Sequence, residues 1–297
     1  METTDLQYFL AVARAKGMTR ASEELHTVQS NISSRIRALE NEVGVPLFLR
    51  HARGVTLTSA GEKFLPYAER VVQLMREGID LIGDLDDPRG RLAIGSMETT
   101  AGWRLPGLLA AYTFDCPQVD LLLETGPTDD LVQGVIDHRL DGAFVSGPVA
   151  HPELQEDIVF TEELVVVTSR HESNLESVLV SGQKVLVFRS GCSYRGRLLT
   201  LMGSRGINAP AVMEFGTLEG ILGCVAAGMG VTLLPRSVVS GWASHNQVLM
   251  HPLAEDLALA QTAFVRRADA TASPAMARFL KQLEVTSRSA VMESTAS

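Results

Sequence analysis

The sequence predicts a mixed α/β protein in three parts. A small helical N-terminal domain ends in a hairpin, one long helix follows, and a larger C-terminal domain alternates strands with helices. Three observations carry this. Apolar residues recur at helical spacing between Leu6 and Leu39; a second stripe, stepping alternately by four and three, runs from Phe64 to Leu85; and from Arg91 onward short β-rich runs alternate with helical patterns.

In the first part, Leu6, Phe9, Leu10 and Ala13 form one apolar stripe, with Gly17 as its C-terminal stop. Thr19 is placed to cap a second helix carrying Ala21 and Leu25. A brief turn at His26 and Thr27 leads into a third helix ending near Gly44. VPLFLRHARGVTLTSAGE then sets β-formers on both sides of His51-Ala52-Arg53-Gly54, which predicts a hairpin.

Ser59 to Glu62 has the S-x-x-E spacing of a capping box at the start of the long helix. Along it Phe64, Ala68, Val71, Met75, Gly78, Ile82 and Leu85 follow the a/d register of a coiled-coil seam, although Pro66 and Gly78 weaken the helix locally. Such a stripe packs either on its own domain or on a second copy. Acidic residues and Pro88 then mark a linker between Asp84 and Gly90.

Beyond the linker, RLAIGS, VDLLLETG, DGAFVSG, ELVVVTS, KVLVFRSG, AVMEFG and VTLLP read as short buried strands, with helices between them near Leu105 to Tyr112, up to His138, from Arg195 to Met202 and from Leu218 to Ala227. That rhythm indicates parallel α/β sheets in two lobes. The tail from about Ser287 is small and polar and is expected to be irregular.

Composition bounds the function. The chain has 297 residues, 45% of them apolar and 21% charged, which suits a soluble globular protein of about two domains. Glu2 and Asp5 precede the first apolar residues, so no secretory signal is expected, and the uncharged apolar run Gly220 to Pro235 is too short and glycine-rich to span a bilayer. A cytoplasmic protein is expected. Cys116, Cys192 and Cys224 lie far apart, which suggests neither a disulfide framework nor a metal site. The net charge of -9 is uneven. Residues 1–65 hold eight Lys or Arg against seven Asp or Glu, leaving 18 against 28 for the remainder, so a polyanion would be met by the N-terminal part.

That part holds the most informative stretch, HTVQSNISSRIRALE, residues 26–40. Ser and Asn are poor helix formers, yet Ile32, Ile36 and Leu39 keep helical spacing through them. Two short helices, a tight turn and a third helix with a polar face make a helix-turn-helix, whose second element lies in the major groove. Gln and Asn pair with adenine edges, Arg with guanine, and Ser hydroxyls with bases or phosphates. A face of this composition either contacts DNA or is simply solvated.

The wider pattern resembles LysR-type transcriptional regulators. DLQYFLAVARAKGMTRASEEL, QSNISSRIRALENEVGVPLFLR and TLTSAGE match the family's N-terminal domain; RLPGLLAAYTFDCPQVDLLLETG, RLDGAFV and VAAGMGVTLLP match its effector domain, in the family's order. Val28 and Ser30 stand where many relatives have Ser or Thr before the recognition-helix glutamine and Pro or Ser after it, and Ala21-Ser22 replaces the usual Ala-Ala.

The resemblance implies a winged helix-turn-helix over 1–58, a dimerisation helix over 59–88 and a two-lobed effector domain over 89–297, similar to periplasmic solute-binding proteins. The first lobe would span about 91–162 plus 266–286, the second about 163–265. It implies Gln29, Ser33 and Arg35 as base or groove contacts. Ser30, Ser34, Arg50 and Arg53 would hold the phosphate backbone, the last two from the wing.

Ligands in open α/β sheets gather beyond the carboxyl ends of strands. Ser96, Met97, Glu98 and Thr99 open a helix after the first strand, and Thr125 to Thr128, Ser146-Gly147, Arg189 to Tyr194 and Phe215 to Thr217 end others. Candidate effector contacts are therefore Ser96, Met97, Glu98, Thr99, Thr125, Ser146, Arg189, Cys192, Tyr194, Arg195 and Thr217. Arg189 and Arg195 could clamp a carboxylate, which favours a small organic anion, or could be solvated. Glu98 either caps its helix or opposes an anion, and Cys192 is either a reactive thiol or a bystander.

Two other classes fit less well. Gly228-Met229-Gly230 precedes a strand instead of following one, so it is no dinucleotide loop, and neither G-x-S-x-G nor H-E-x-x-H occurs. A plain solute-binding protein leaves the N-terminal third unexplained. The expectation is a regulator without catalytic residues, cofactor or metal. Its partners would be double-stranded promoter DNA, a small-molecule effector, a second copy or tetramer, and RNA polymerase.

Overall fold

The computed structural model describes residues 1–51, 54–82, 87–172, 174–176, 183–188, 193–207, 211–245 and 247–295. It divides into an N-terminal unit built on residues 1–83 and a C-terminal unit of residues 84–136 and 140–297.

In the N-terminal unit, α1 (Thr3–Ala15), α2 (Met18–Glu24) and α3 (Gln29–Val43) precede β1 (Phe48–His51), β2 (Gly54–Leu57) and α4 (Ser59–Leu81). Phe9, Val12, Ala21, Ile32, Ile36, Leu39 and Leu47 are fully buried in one core. The Phe9 ring lies 5.1 Å from Phe48 and 5.3 Å from Phe64, so hairpin and α4 close over α1. Each of these Phe, Val, Ile and Leu side chains contributes about 1.5–3 kcal/mol on burial.

The helix ends differ from the sequence expectation at Gly17, Thr19 and Ser59, whereas the turn at His26 and Thr27 stands where it was expected. Lys16, not Gly17, takes the left-handed turn after α1, at φ 50°; Gly17 is extended and starts α2, so Thr19 lies inside that helix. Lys16 is fixed there because its carbonyl accepts the Val55 amide at 3.1 Å and the backbone of Gly54 packs against it. His26 adopts φ 48° and ends α2: its amide reaches Glu23 at 3.2 Å and that of Thr27 reaches Ser22 at 2.9 Å, the paired bonds of a Schellman turn. At α4 the cap is Thr58, whose Oγ1 accepts the Gly61 amide at 2.9 Å, so the Ser59–Glu62 box is not used.

The α4 stripe also divides. Phe64 and Ala68, with Val72, join the unit's own core, whereas Val71, Met75 and Ile82 are exposed together with Tyr67, Leu74 and Ile79. Leu85 lies outside the described residues. Inward and outward apolar positions interleave along one helix, so a single seam in sequence becomes two faces in space.

The C-terminal unit comprises β3 (Gly90–Ser96), α5 (Glu98–Trp103), α6 (Leu105–Asp115), β4 (Val119–Thr125), α7 (Thr128–Ile136), β5 (Gly142–Ser146), β6 (Leu154–Ser169), β7 (Lys184–Phe188), α8 (Ser193–Ser204), β8 (Val212–Phe215), α9 (Leu218–Ala226), β9 (Gly230–Pro235), α10 (Arg236–Ser244), β10 (Val248–Pro252), α11 (Glu255–Ala258), β11 (Leu259–Arg267) and α12 (Pro274–Thr295). Strand order is β4-β3-β5-β11-β6-β9-β7-β8, with β10 also on β6.

Pairings of β3 with β4 and β5, and of β7 with β8 and β9, are parallel as expected. The central pairings are antiparallel. They arise because β6 and β11 run between the lobes. Residues Leu154–Glu163 of β6 pair with β11; from Leu164 the strand pairs with β9 and β10. β11 pairs with β5 and with the first half of β6, while its Ala260 packs in the same core as Leu164–Val167.

Two ion pairs flank the crossover. Glu162 binds Arg104 at 2.8 Å and Glu163 binds Arg236 at 2.7 Å through both oxygens. One lobe surrounds Ile94, Phe144, Phe264 and Phe279, the other Leu164–Val167, Leu186 and Leu222. The expected irregular tail is instead helical: α12 runs to Thr295, since after Pro274 no Gly or Pro interrupts its hydrogen bonds.

Candidate DNA-contacting face and effector cleft

The third helix is positioned by its core side chains. Ile32, Ile36 and Leu39 are fully buried, which turns Gln29, Ser30, Ser34 and Arg37 to solvent and leaves Ser33 half-buried beside them. Asn31 donates to the Tyr8 hydroxyl and to Thr27 Oγ1, both at 3.0 Å, tying the helix start to α1 and the turn.

Val28 occupies the N-cap position and makes no capping bond, while the Asn31 amide turns back to its carbonyl at 3.0 Å. The first amides of α3 therefore lie open to an anion such as a phosphate. A hydroxyl at that position would close one of them. Val28→Ser is expected to raise stability by about 0.5–2 kcal/mol in urea unfolding, and an unchanged midpoint would contradict the uncapped helix start.

Arg35 stands apart from Gln29 and Ser33. Its Nη1 donates to Glu2 at 2.8 Å and to the nearly buried Asp5 at 3.0 Å, and these hydrogen bonds hold the guanidinium above its already high pKa. The wing is anchored by Glu40, whose Oε1 accepts the amides of Leu47 at 2.8 Å and Phe48 at 3.1 Å. Arg50 projects from β1 and is exposed; Arg53 lies outside the described residues. Glu40 was not singled out from the sequence, because its partners are backbone groups across a turn.

In the C-terminal unit the strand ends converge on a cleft of about 590 Å³. Met97, Glu98 and Thr99 reach it after β3, Glu124 and Thr125 from the end of β4, Gly126 and Pro127 after it, Thr128, Asp130 and Leu131 from α7, Phe188 and Tyr194 around β7 and α8, and Glu214 to Gly216 from β8. Of the expected contacts, Met97, Glu98, Thr99, Thr125 and Tyr194 line it.

Four others do not. Ser96 is fully buried and donates to the Met97 carbonyl at 3.0 Å. Ser146 gives its amide to Thr128 Oγ1 at 3.1 Å. Thr217 caps α9 through the Gly220 amide and faces a neighbouring cavity of about 750 Å³ with Trp103 and Trp242. Arg195 is paired with Glu214 at 2.5 Å. Arg189 and Cys192 lie outside the described residues.

The described lining thus includes four carboxylates, Glu98, Glu124, Asp130 and Glu214, and no Lys, Arg or His. Glu124 and Glu214 lie within their strands, each one residue before the stretch that attracted attention in the sequence.

No helix among the described residues is long and apolar enough to cross a membrane, and they include no cluster suited to a metal ion. Residues 3–62 match the model of the bacterial regulatory helix-turn-helix proteins of the lysR family, and residues 85–287 match that of the LysR substrate binding domain. The chain is 42% identical over 279 residues to the HTH-type transcriptional regulator GltR of Bacillus subtilis (strain 168), covering 94% of each. It is 40% identical over 284 residues to the HTH-type transcriptional regulator CzcR of Bacillus anthracis, covering 96% of this chain and 97% of that one. Among solved structures, full-length CbnR complexed with its target DNA shares 25% identity at a TM-score of 0.68, over 96% of this chain and 100% of that one. A full-length OxyR variant of Pseudomonas aeruginosa shares the fold, with 24% identity and a TM-score of 0.72 over 97% and 95%. With both halves matched in order over nearly its whole length, the chain belongs to the LysR family of bacterial helix-turn-helix transcriptional regulators, a DNA-binding domain followed by an effector-binding one.

Proposed function

We propose that α3 enters the major groove of promoter DNA with Gln29 and Ser33 at base edges, while Ser30, Ser34 and the open amides at its start hold phosphates. The observation that carries this is the division of α3 into a buried Ile32-Ile36-Leu39 side and an outward face of hydrogen-bonding side chains. Arg50, and by the family resemblance Arg53, grip the DNA backbone. Arg35, engaged by Glu2 and Asp5, sets the angle of α3 on α1 and reaches the groove from that position.

The exposed stripe of α4, Tyr67, Val71, Leu74, Ile79 and Ile82, pairs with a second copy. Two recognition helices are thereby set about one helical turn apart, roughly 34–36 Å, on an interrupted palindrome. A small molecule in the cleft of the C-terminal unit prefers one arrangement of subunits over another, and so changes the DNA geometry offered to RNA polymerase in the cytoplasm. A preference of about 5.5 kcal/mol would carry the population from 1:99 to 99:1.

Substitution separates readers from holders. Gln29→Ala and Ser33→Ala should each reduce the preference for specific over random DNA by roughly 1–3 kcal/mol. Arg50→Ala should weaken both equally and lower the slope of log affinity against log salt by about one. Binding titrations at several salt concentrations test this; an equal loss on both duplexes for Ser33→Ala would reassign it to the backbone.

A further inference from the structure

We infer that Arg37 is a further DNA contact of the N-terminal unit, gripping a backbone phosphate on the strand opposite the one held at the start of α3. The inference rests on the reading of α3 as the helix in the major groove and adds a residue that the contacts named above leave out. Arg37 is exposed, and its side chain forms no ion pair among the described residues.

Its neighbours explain why that charge is free. Glu40 stands three residues further on, the spacing at which an arginine and a glutamate on one helix face pair. Its Oε1 instead accepts the amides of Leu47 and Phe48, at 2.8 and 3.1 Å, where the chain enters the wing. Arg35 is the opposite case: Glu2 and Asp5 both bind its guanidinium, so its charge is already answered within the protein. Of the two arginines in α3, Arg37 is the one that offers a polyanion an uncommitted charge.

Position on the helix gives the direction of that charge. At about 100° per residue, Arg37 stands about 20° around the axis from Ser30 and about 60° from Ser34, whereas Arg35 is about 140° from Ser30. Ile32, Ile36 and Leu39 fill the buried side, so Arg37 lies within the exposed one. Along the axis it is about 12 Å beyond Gln29, at 1.5 Å per residue. A B-form major groove is about 12 Å wide. With the open amides of the helix start against one wall, a guanidinium about two turns later meets the other. Recognition helices present their N-terminal residues to base edges, and Arg37 sits in the second half of α3, which assigns it to phosphate.

Titration of the full chain against its promoter duplex and a scrambled duplex, at several salt concentrations, tests the inference. Arg37→Gln should weaken binding to both by roughly tenfold and lower the slope of log affinity against log salt by about one, at an unchanged melting temperature. Arg37→Lys, which keeps a point charge without the planar fork, should retain the slope and most of the affinity. In phosphate-ethylation interference, Arg37→Gln should lose sensitivity at one phosphate, and Ser30→Ala at one on the facing strand. Unchanged affinity and slope for Arg37→Gln overturn the inference. So does a loss confined to the promoter duplex that Lys does not restore, since that marks a base reader, and so does lost interference on the same strand for both variants. If Gln29→Ala and Ser33→Ala leave the promoter preference intact while Arg37→Gln lowers the slope, the base contacts proposed for α3 fail and the phosphate contact stands.

Discussion

Gly61→Ala is expected to unfold the wing from the helical core and to lower the stability of the N-terminal unit by about 2–4 kcal/mol. A Cβ at position 61 would lie 2.2 Å from the Leu47 carbonyl oxygen and 2.9 Å from Leu57 Cδ2. The Leu47 backbone has nowhere to retreat, because its amide is held by Glu40 at 2.8 Å and its carbonyl by the Thr58 amide at 2.9 Å. Separation would break the second of these bonds and loosen Phe48 from Phe9. In α8, by contrast, a Cβ on Gly196 meets nothing within 4 Å, so Gly196→Ala should stabilise by about 0.5–1 kcal/mol. Melting of the two variants side by side checks both, and equal midpoints would contradict the packing described for Gly61.

Val71→Asp is expected to convert the protein in solution to monomers and to reduce affinity for a two-half-site promoter by about 10²–10⁴-fold, the advantage lost when two linked contacts become one. Val71 is 44% exposed on α4 and Ile79 and Ile82 more so, whereas Ala68 and Val72 are buried in the unit's own core. A charge at position 71 therefore spares that core and falls on the outward stripe alone. Light scattering reads the mass directly. An unchanged mass would remove α4 from the subunit contact, and Val72→Asp, which strikes the core, should unfold the unit instead.

Much of this architecture was legible in residue spacing because its determinants are local. The stop of α3 at Gly44, with φ 82°, follows from glycine's tolerance of the left-handed region, and the hairpin follows from its β-formers on either side of residues 51–54. What was not legible depends on partners far along the chain. Arg35 meets Glu2 and Asp5 some thirty residues away, and no local pattern announces it. The change of partner in β6 at Glu163 and Leu164 needs β9, β10 and β11 in place, so the antiparallel centre between the parallel sheets was not legible in strand spacing. Phe64 and Ala68 share the heptad register of Val71, yet α1 and the hairpin cover the first pair and leave the other open.

The cleft divides in the same way. Strand ends located it, since ligand sites in α/β sheets lie beyond them. Its charge was hidden, because two of its carboxylates are the last residues but one of β4 and β8 and not part of the loops. Arg195 looks cationic in sequence and is matched by Glu214 in space.

The central claim is that the outward face of α3 reads promoter sequence. Its most direct test is the affinity of the full chain for its own promoter against a scrambled duplex of equal length at one fixed, near-physiological salt concentration. The account predicts a preference of at least about 10³ that falls sharply when Gln29 and Ser33 are both replaced by Ala. Equal affinity for the two duplexes, or a preference untouched by the double replacement, would contradict it.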